Sequence, residues 1–285
     1  MENYKLALIG HPLGHSLSPV LYQTAFKELG LEGSYELLDT PPEDLISRIK
    51  YLKNNGYFGF NVTIPFKVPL TLFLGKYDEL MNITGSVNTV KIESDGTLSG
   101  FNTDVYGFMQ AIPNDINLNG KKAAVIGTGG ASRAVCAGLF KKGIKKIDIY
   151  TRNIIDSADT VKTLRERFGA IQFQAVQTQM MKSLEDIDIL VNTTPLGMKN
   201  YAEGTSPVED EFIKTLPDSA VIYDIVYNPI RTALISRAIK YNKRFIHGLD
   251  MLVWQAVRAC EIWTGKKPDF NLMKTKALEA FLINQ

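Results

Sequence analysis

Cysteine is scarce in this chain: Cys136 and Cys260 are the only two in 285 residues. They stand far apart, without metal-ligand spacing, and each falls in an apolar helical pattern. Buried reduced thiols are therefore expected, not a disulfide framework or a zinc site. The three histidines, His11, His15 and His247, form no cluster along the chain, and no metal is expected. Long apolar runs are lacking too, and nothing approaches the ~18 residues of a membrane span. The short strand after Met1-Glu2-Asn3-Tyr4-Lys5 does not read as a signal peptide. A reducing cytoplasm fits these absences. Nor is there an excess of one charge: the net value is +2, with no long basic run. A nucleic-acid partner is thereby disfavoured, because backbone recognition needs a concentrated positive patch.

What is present is ordinary globular composition, 45% hydrophobic and 22% charged. The length suffices for two domains with separate cores. Residues 4–9 read as a buried strand, followed by the loop GHPLGHSLS and a helix from Pro19 to Leu29, with Ser18 as its hydroxyl cap. A strand at 33–38 comes next. Thr40-Pro41-Pro42-Glu43 has the form of a capping box for a helix whose apolar face is Leu45, Ile46, Ile49 and Leu52. Strand 58–62 runs into Asn61-Val62-Thr63-Ile64-Pro65-Phe66-Lys67, and 87–92 with 97–101 form a hairpin about Asp95-Gly96. Alternating strand and helix predict a mainly parallel α/β layer.

A second α/β series starts at Lys121: strand 123–126, a glycine loop opening a helix through Leu139, strand 146–150, helix 157–168, and strands 187–191 and 220–225. This is the succession of a dinucleotide-binding half. Two helices, 250–264 and 271–283, complete the chain and are expected to pack back on the first domain, leaving a cleft between two lobes.

The loop Gly127-Thr128-Gly129-Gly130-Ala131-Ser132 departs from the GxGxxG/A form only in its last residue, where small Ser132 still permits close helix–strand packing. Its setting between strand and helix lets backbone N–H groups approach a pyrophosphate. At the tip of the next strand, where an NAD site places an acid, the chain has Thr151-Arg152-Asn153, and the nearest acid, Asp148, lies back inside the strand. Arg152 suits a 2′-phosphate by planar bidentate pairing, with Thr151 and Asn153 as neutral donors. NADP is favoured.

Upstream, Ser16 and Ser18 lie on a loop at a strand's C-terminal end, where open α/β sheets bind ligands, and two such hydroxyls can hold a carboxylate. Ser18 also serves as a helix cap with no ligand at all; Ser16 has less structural excuse. Asn61 and Thr63 share one face of an extended segment, followed by Lys67. A lone lysine is commonly a solvated surface group, and Asp104 in Phe101-Asn102-Thr103-Asp104 could equally be an N-cap. Asn88 reads also as a polar hairpin residue, whereas Gln255, set among apolar neighbours, calls for a partner.

Together the segments GHPLGHSLSP, NVTIPFK, GSVNTV, FNTD, GTGGASR, NTTPLGM, YDIVYNP and GLDMLVWQA, in this order across nearly the whole chain, resemble the shikimate dehydrogenase family. The resemblance implies two α/β domains about a cleft: a substrate domain of residues 1–103 and 248–285, and a Rossmann-type NADP domain of residues 104–247. It implies NADPH-dependent reduction of 3-dehydroshikimate to shikimate in aromatic amino acid biosynthesis, by a monomer or homodimer. It makes Lys67 and Asp104 the catalytic pair. Ser16, Ser18, Asn61, Thr63, Asn88, Tyr227 and Gln255 would contact substrate. Gly127, Gly129, Gly130, Ala131, Thr151, Arg152, Asn153 and Gly248 would line the nucleotide. The family commonly has Asn-Arg-Thr/Ser where this chain has Thr151-Arg152-Asn153, which leaves the strength of NADP preference open. Quinate is the rival substrate, needing space beside the serines and Thr63. A non-catalytic sensor is the rival of another class, disfavoured because a pure binder needs no proton donor.

Overall fold

The computed structural model describes residues 3–14, 16–169 and 171–283. His15 and the opening Met1-Glu2 lie outside them. The chain divides into two compact units, Met1–Gly107 with Val253–Gln285, and Phe108–Leu252.

The first unit contains β1 (Asn3–Gly10), α1 (Ser18–Leu29), β2 (Glu32–Asp39), α2 (Leu45–Asn54) and β3 (Gly59–Val62). It continues with β4 (Lys76–Tyr77), α3 (Glu79–Thr84), β5 (Thr89–Ile92), β6 (Leu98–Phe101) and the start of α4 (Thr103–Ala111). The strands form one sheet in the order β2-β1-β3-β5-β6-β4. β1 pairs in parallel with β2 and β3, but β3–β5 and β5–β6 are antiparallel. With β4 also parallel to β6, the layer is mainly parallel, as strand–helix alternation predicted, and the antiparallel pairings arise where the β5–β6 hairpin reverses direction as it joins the sheet.

One face of this sheet is sealed by an apolar cluster that includes Ile9, Leu52, Phe60, Phe66, Leu70 and Val90. Burying side chains of this size is worth roughly 1.5–3 kcal/mol each. At Gly59 a Cβ would lie 2.3 Å from Trp263 Nε1 and 2.5 Å from Val90 O. The missing side chain is what admits the indole, whose N–H donates to Val90 O at 3.0 Å.

The capping box at Thr40 does not form. Pro41 is extended (φ −56°, ψ 152°), a 3-10 turn spans Pro42–Asp44, and α2 begins only at Leu45. A residue before proline is driven out of the helical region. Thr40 therefore points elsewhere: its hydroxyl donates to Leu38 O at 2.8 Å and accepts from Arg48 Nε at 3.1 Å.

The second unit holds β7 (Lys122–Ile126), α5 (Gly130–Lys141), β8 (Lys146–Thr151), α6 (Ile154–Arg167), β9 (Gln172–Gln177) and β10 (Ile189–Asn192). Then come α7 (Asp210–Thr215), β11 (Val221–Asp224), α8 (Ala233–Lys240) and β12 (Arg244–His247). Its sheet, β12-β11-β10-β7-β8-β9, pairs in parallel throughout. That is the doubly wound order of a Rossmann-type half, with the switch point beside the first strand, β7. The chain then enters α9 (Gly248–Thr264) and α10 (Phe270–Ile283); α10 packs on α1. α4 and α9 each run across the division between units.

Candidate active site

In the first unit, Lys67 follows β3 in a turn closed by Phe66 N–H donating to Thr63 O at 2.8 Å. Phe66 is buried in the core beneath, which fixes the turn and leaves Lys67 to reach sideways. Its Nζ donates to Asp104 Oδ2 at 2.6 Å, and the two side chains are 18% and 9% exposed. Asp104 is not the helix cap. The cap belongs to Asn102, whose Oδ1 accepts from Val105 N–H at 3.4 Å, and this leaves Asp104 in the first turn of α4 with both oxygens for other partners. Its Oδ1 accepts from Asn88 Nδ2 at 2.8 Å.

Asn88, buried at the mouth of β5, also takes Thr103 N–H on its Oδ1 at 2.7 Å and donates to Thr103 Oγ1 at 2.9 Å. Gln255 Oε1 lies 3.5 Å from both Asn88 Nδ2 and Thr103 Oγ1. Lys67, Asp104, Asn88 and Gln255 are therefore one connected group, although they come from a turn, two helices and the residue before β5. Asn61 sits on β3 beside it. Its Oδ1 accepts from Tyr35 OH at 2.8 Å, while its Nδ2 donates to Asn88 O and to Thr89 Oγ1, each at 3.0 Å. Sequence reasoning missed Tyr35, Thr89 and Thr103. The signal for Thr103 was its place in FNTD; none pointed to the other two.

The serine loop is anchored at several points. Asp39, at the end of β2, accepts from Leu13 N–H at 2.7 Å and lies 3.1 Å from His11 Nδ1. Its carboxyl is held below the usual range, first by the Leu13 backbone bond and then by His11. Gly10 makes room for Thr63: a Cβ there would come within 2.3 Å of Thr63 Cγ2. Capping differs from expectation. Ser18 is the first residue of α1 and makes no capping bond; instead Ser16 Oγ accepts Ser18 N–H at 3.2 Å. The proline at the second helical position draws the helix start one residue earlier, so the hydroxyl with the structural duty is Ser16.

In the second unit, Gly127 follows β7 at φ +105°, a left-handed conformation that side chains resist. A Cβ there would also meet Thr193 Oγ1 at 2.8 Å and Thr194 Cγ2 at 2.9 Å. Gly129 occupies the cap position of α5 with no side-chain cap, and a Cβ on it would meet nothing within 4 Å. Gly130 and Ala131 open the helix, whose first N–H groups have no intrahelical partner and suit an anion. Ser132 is fully buried, as close helix–strand packing demands.

At the tip of β8, Arg152 is exposed. Thr151 donates to Asn153 O at 3.1 Å, and Asn153 Oδ1 caps α6 by accepting from Ile155 N–H at 2.9 Å. Asp148 is buried in the strand and paired with Lys122 at 2.8 Å, so the tip Thr151-Arg152-Asn153 itself carries a cation and no acid. The donor set therefore fits a phosphorylated dinucleotide.

Tyr227 is half-buried on the loop after β11. Gly248 is required by its surroundings, since a Cβ would lie 2.2 Å from Ile225 O. Beneath that loop is Asp224, another residue that sequence reasoning passed over although it stands in YDIVYNP. It is fully buried and accepts from Asn192 Nδ2 (2.9 Å), Val226 N–H (3.1 Å) and Thr232 Oγ1 (2.7 Å). Burial outweighs these bonds and pushes its carboxyl up to about 6.

Both thiols are buried, and burial pushes them up, Cys136 to about 12 and Cys260 to about 11. Among the described residues no group of three or more His, Cys, Asp or Glu could hold a metal, and no helix is long and apolar enough to cross a membrane.

A parallel sheet in the Rossmann order with a glycine loop at its switch point, on one chain with a partly buried lysine–carboxylate pair, defines a dinucleotide-dependent oxidoreductase. Residues 8–90 match the shikimate dehydrogenase substrate binding domain, residues 110–227 the shikimate/quinate 5-dehydrogenase family, and residues 248–278 the shikimate 5′-dehydrogenase C-terminal domain. A shikimate dehydrogenase (NADP(+)) of Nitrosopumilus maritimus is 37% identical over 276 residues, covering 96% of this chain and 98% of that protein. Among solved structures, a shikimate dehydrogenase in complex with NADP+ is 36% identical with a TM-score of 0.87, covering 98% of this chain and 96% of the other. The Thermus thermophilus shikimate 5-dehydrogenase in complex with NADP(H) and shikimate is 35% identical with a TM-score of 0.82, covering 97% and 99%. The chain belongs to the shikimate dehydrogenase family.

Proposed function

We propose that this protein is an NADP-dependent shikimate dehydrogenase, reducing 3-dehydroshikimate to shikimate and running the reverse reaction, with Lys67 and Asp104 as its catalytic pair. The observation that carries the reading is the 2.6 Å contact between Lys67 Nζ and Asp104 Oδ2, with Asn88 on the other carboxylate oxygen. NADPH, when bound, supplies the hydride. Lys67 gives its proton to the carbonyl oxygen as that oxygen gains charge, and takes the proton back in the reverse direction. Acid catalysis of this kind is worth about 10²–10⁴ in rate. Asp104 restrains the flexible lysine and accepts a substrate hydroxyl.

Residues 1–103 and 248–285 serve the substrate, and residues 104–247 the nucleotide. Ser16 and Ser18 hold the carboxylate with Tyr227, while Thr63, Asn88 and Gln255 contact the ring substituents, with Asn61 alongside. Gly127, Gly129, Gly130 and Ala131 accommodate the pyrophosphate, Arg152 takes the 2′-phosphate between Thr151 and Asn153, and Gly248 lines the nucleotide. The enzyme works in the cytoplasm as a monomer or homodimer.

The test is turnover of purified protein with shikimate or quinate, each against NADP+ and NAD+, followed by absorbance of the reduced nicotinamide. The highest kcat/KM is expected for shikimate with NADP+. Retained nucleotide binding without turnover of any pair would mean a sensor instead.

A further inference from the structure

Thr103 lies one residue before Asp104, is 2% exposed, and belongs wholly to the group just described in the first unit. Its backbone N–H faces Asn88 Oδ1 at 2.7 Å. A donor at that position decides which end of the amide is oxygen, so Nδ2 must face the other way, toward Asp104 Oδ1 at 2.8 Å and Thr103 Oγ1 at 2.9 Å. Both amide hydrogens of Asn88 are then used, one on the carboxylate and one on the Thr103 hydroxyl.

That hydroxyl has a single hydrogen to give. Three oxygens lie around it: Thr89 Oγ1 at 3.1 Å, Asn88 Oδ1 at 3.2 Å and Gln255 Oε1 at 3.5 Å. Thr89 already accepts from Asn61 Nδ2, so its own hydrogen is free to go to Asn88 Oδ1, 3.2 Å away. The Thr103 hydrogen then has two acceptors within reach, Thr89 Oγ1 and Gln255 Oε1. One hydroxyl thus sits between two amides that the proposed function assigns to the substrate, and it is buried, where a lost hydrogen bond is not replaced by water.

We propose that Thr103 is a positioning residue for the dehydrogenase reaction: its hydroxyl holds the Asn88 amide on Asp104 and the Gln255 amide beside it, keeping the carboxylate set against Lys67. The inference rests on the Lys67–Asp104 reading. It does not require Thr103 to touch substrate or nucleotide.

The test compares Thr103→Val, which keeps the shape and removes the hydroxyl, with Thr103→Ser, which restores it, and with Lys67→Ala in the same assay. Thr103→Val is expected to lower kcat about 10-fold or more, to displace the pH profile of kcat, and to leave nucleotide binding measured by titration unchanged. Thr103→Ser is expected to recover most of the loss. A Thr103→Val enzyme with wild-type kcat and pH profile would overturn the proposal. So would a Thr103→Ser enzyme as impaired as the valine variant, since packing alone would then be at stake. If the valine variant does not fold, Thr103→Ala carries the same comparison. Wild-type kcat in Lys67→Ala would instead sink the reading of the catalytic pair, whatever Thr103 does.

Discussion

Lys67 Nζ lies 2.6 Å from Asp104 Oδ2 while Asn88 Nδ2 approaches Asp104 Oδ1 at 2.8 Å, so the carboxylate is held between two donors. One donor is a cation that can part with a proton; the other is an amide that cannot. The proposed catalytic role needs this asymmetry, and replacing either member tests it.

Asp104→Asn keeps the shape but offers one acceptor where two are needed. If its oxygen faces Asn88, its amide nitrogen confronts the Lys67 ammonium, donor against donor. Because Lys67 then loses the partner that sets its position, a fall in kcat of up to about 10²–10⁴ is expected, the range for a lost acid–base group, with a smaller change in KM. Steady-state kinetics with shikimate and NADP+ check it. A rise in KM with kcat intact would assign Asp104 to binding alone.

Arg152 is exposed at the tip of β8, where Thr151 and Asn153 already serve the local backbone. Arg152→Ala should therefore raise the KM for NADP+ about 10-fold or more, as expected for a charge-assisted phosphate contact worth about 1.5–3 kcal/mol. The KM for NAD+ should barely move. Equal losses with both nucleotides would remove Arg152 from 2′-phosphate recognition.

How far the chain disclosed all this depends on distance along it. Strands with continuous apolar runs, such as β7 and β11, and the hairpin at Asp95-Gly96 are legible because their signals are local. The edge strands β9 and β12 are not: Gln172, Gln174 and Arg244 are exposed, and an edge strand carries half the apolar signal of a buried one. Thr232, whose hydroxyl caps α8 by accepting Ile235 N–H, was legible by capping rules and went unread. At the candidate site, short motifs revealed the residues but not their partners. Tyr35 and Asn61 are 26 positions apart, and Thr103 and Gln255 are 152 apart. No local pattern reports such pairings; only the folded sheet brings them together.

Gly248 gives a prediction about stability. A Cβ there would stand 2.2 Å from Ile225 O and 2.8 Å from Val226 C, and both obstacles are backbone. Backbone cannot swing aside as a side chain would, so Gly248→Ala should destabilise the second unit by roughly 1–3 kcal/mol, the usual cost of overpacking. Urea unfolding followed by circular dichroism measures this. An unchanged midpoint would mean that the loop after β11 yields freely.

Asp224 links stability to pH. Its folded carboxyl is pushed up to about 6 from the usual 3.8 because burial disfavours the charge more than three donors favour it. An acid raised on folding contributes stability that is fully present below 3.8 and is lost as pH rises through about 6. Asp224→Asn removes the titration. Whatever the variant loses by facing donors with an amide nitrogen does not change with pH. Its stability relative to wild type should therefore improve by about 2 kcal/mol between about pH 4 and about pH 7. Hydrogen exchange of the β10 and β11 amides is the suitable probe, because Trp254 and Trp263, the only tryptophans, both belong to the other unit. A difference that stays constant with pH would show that the three hydrogen bonds outweigh burial, and that Asp224 stays charged across the range.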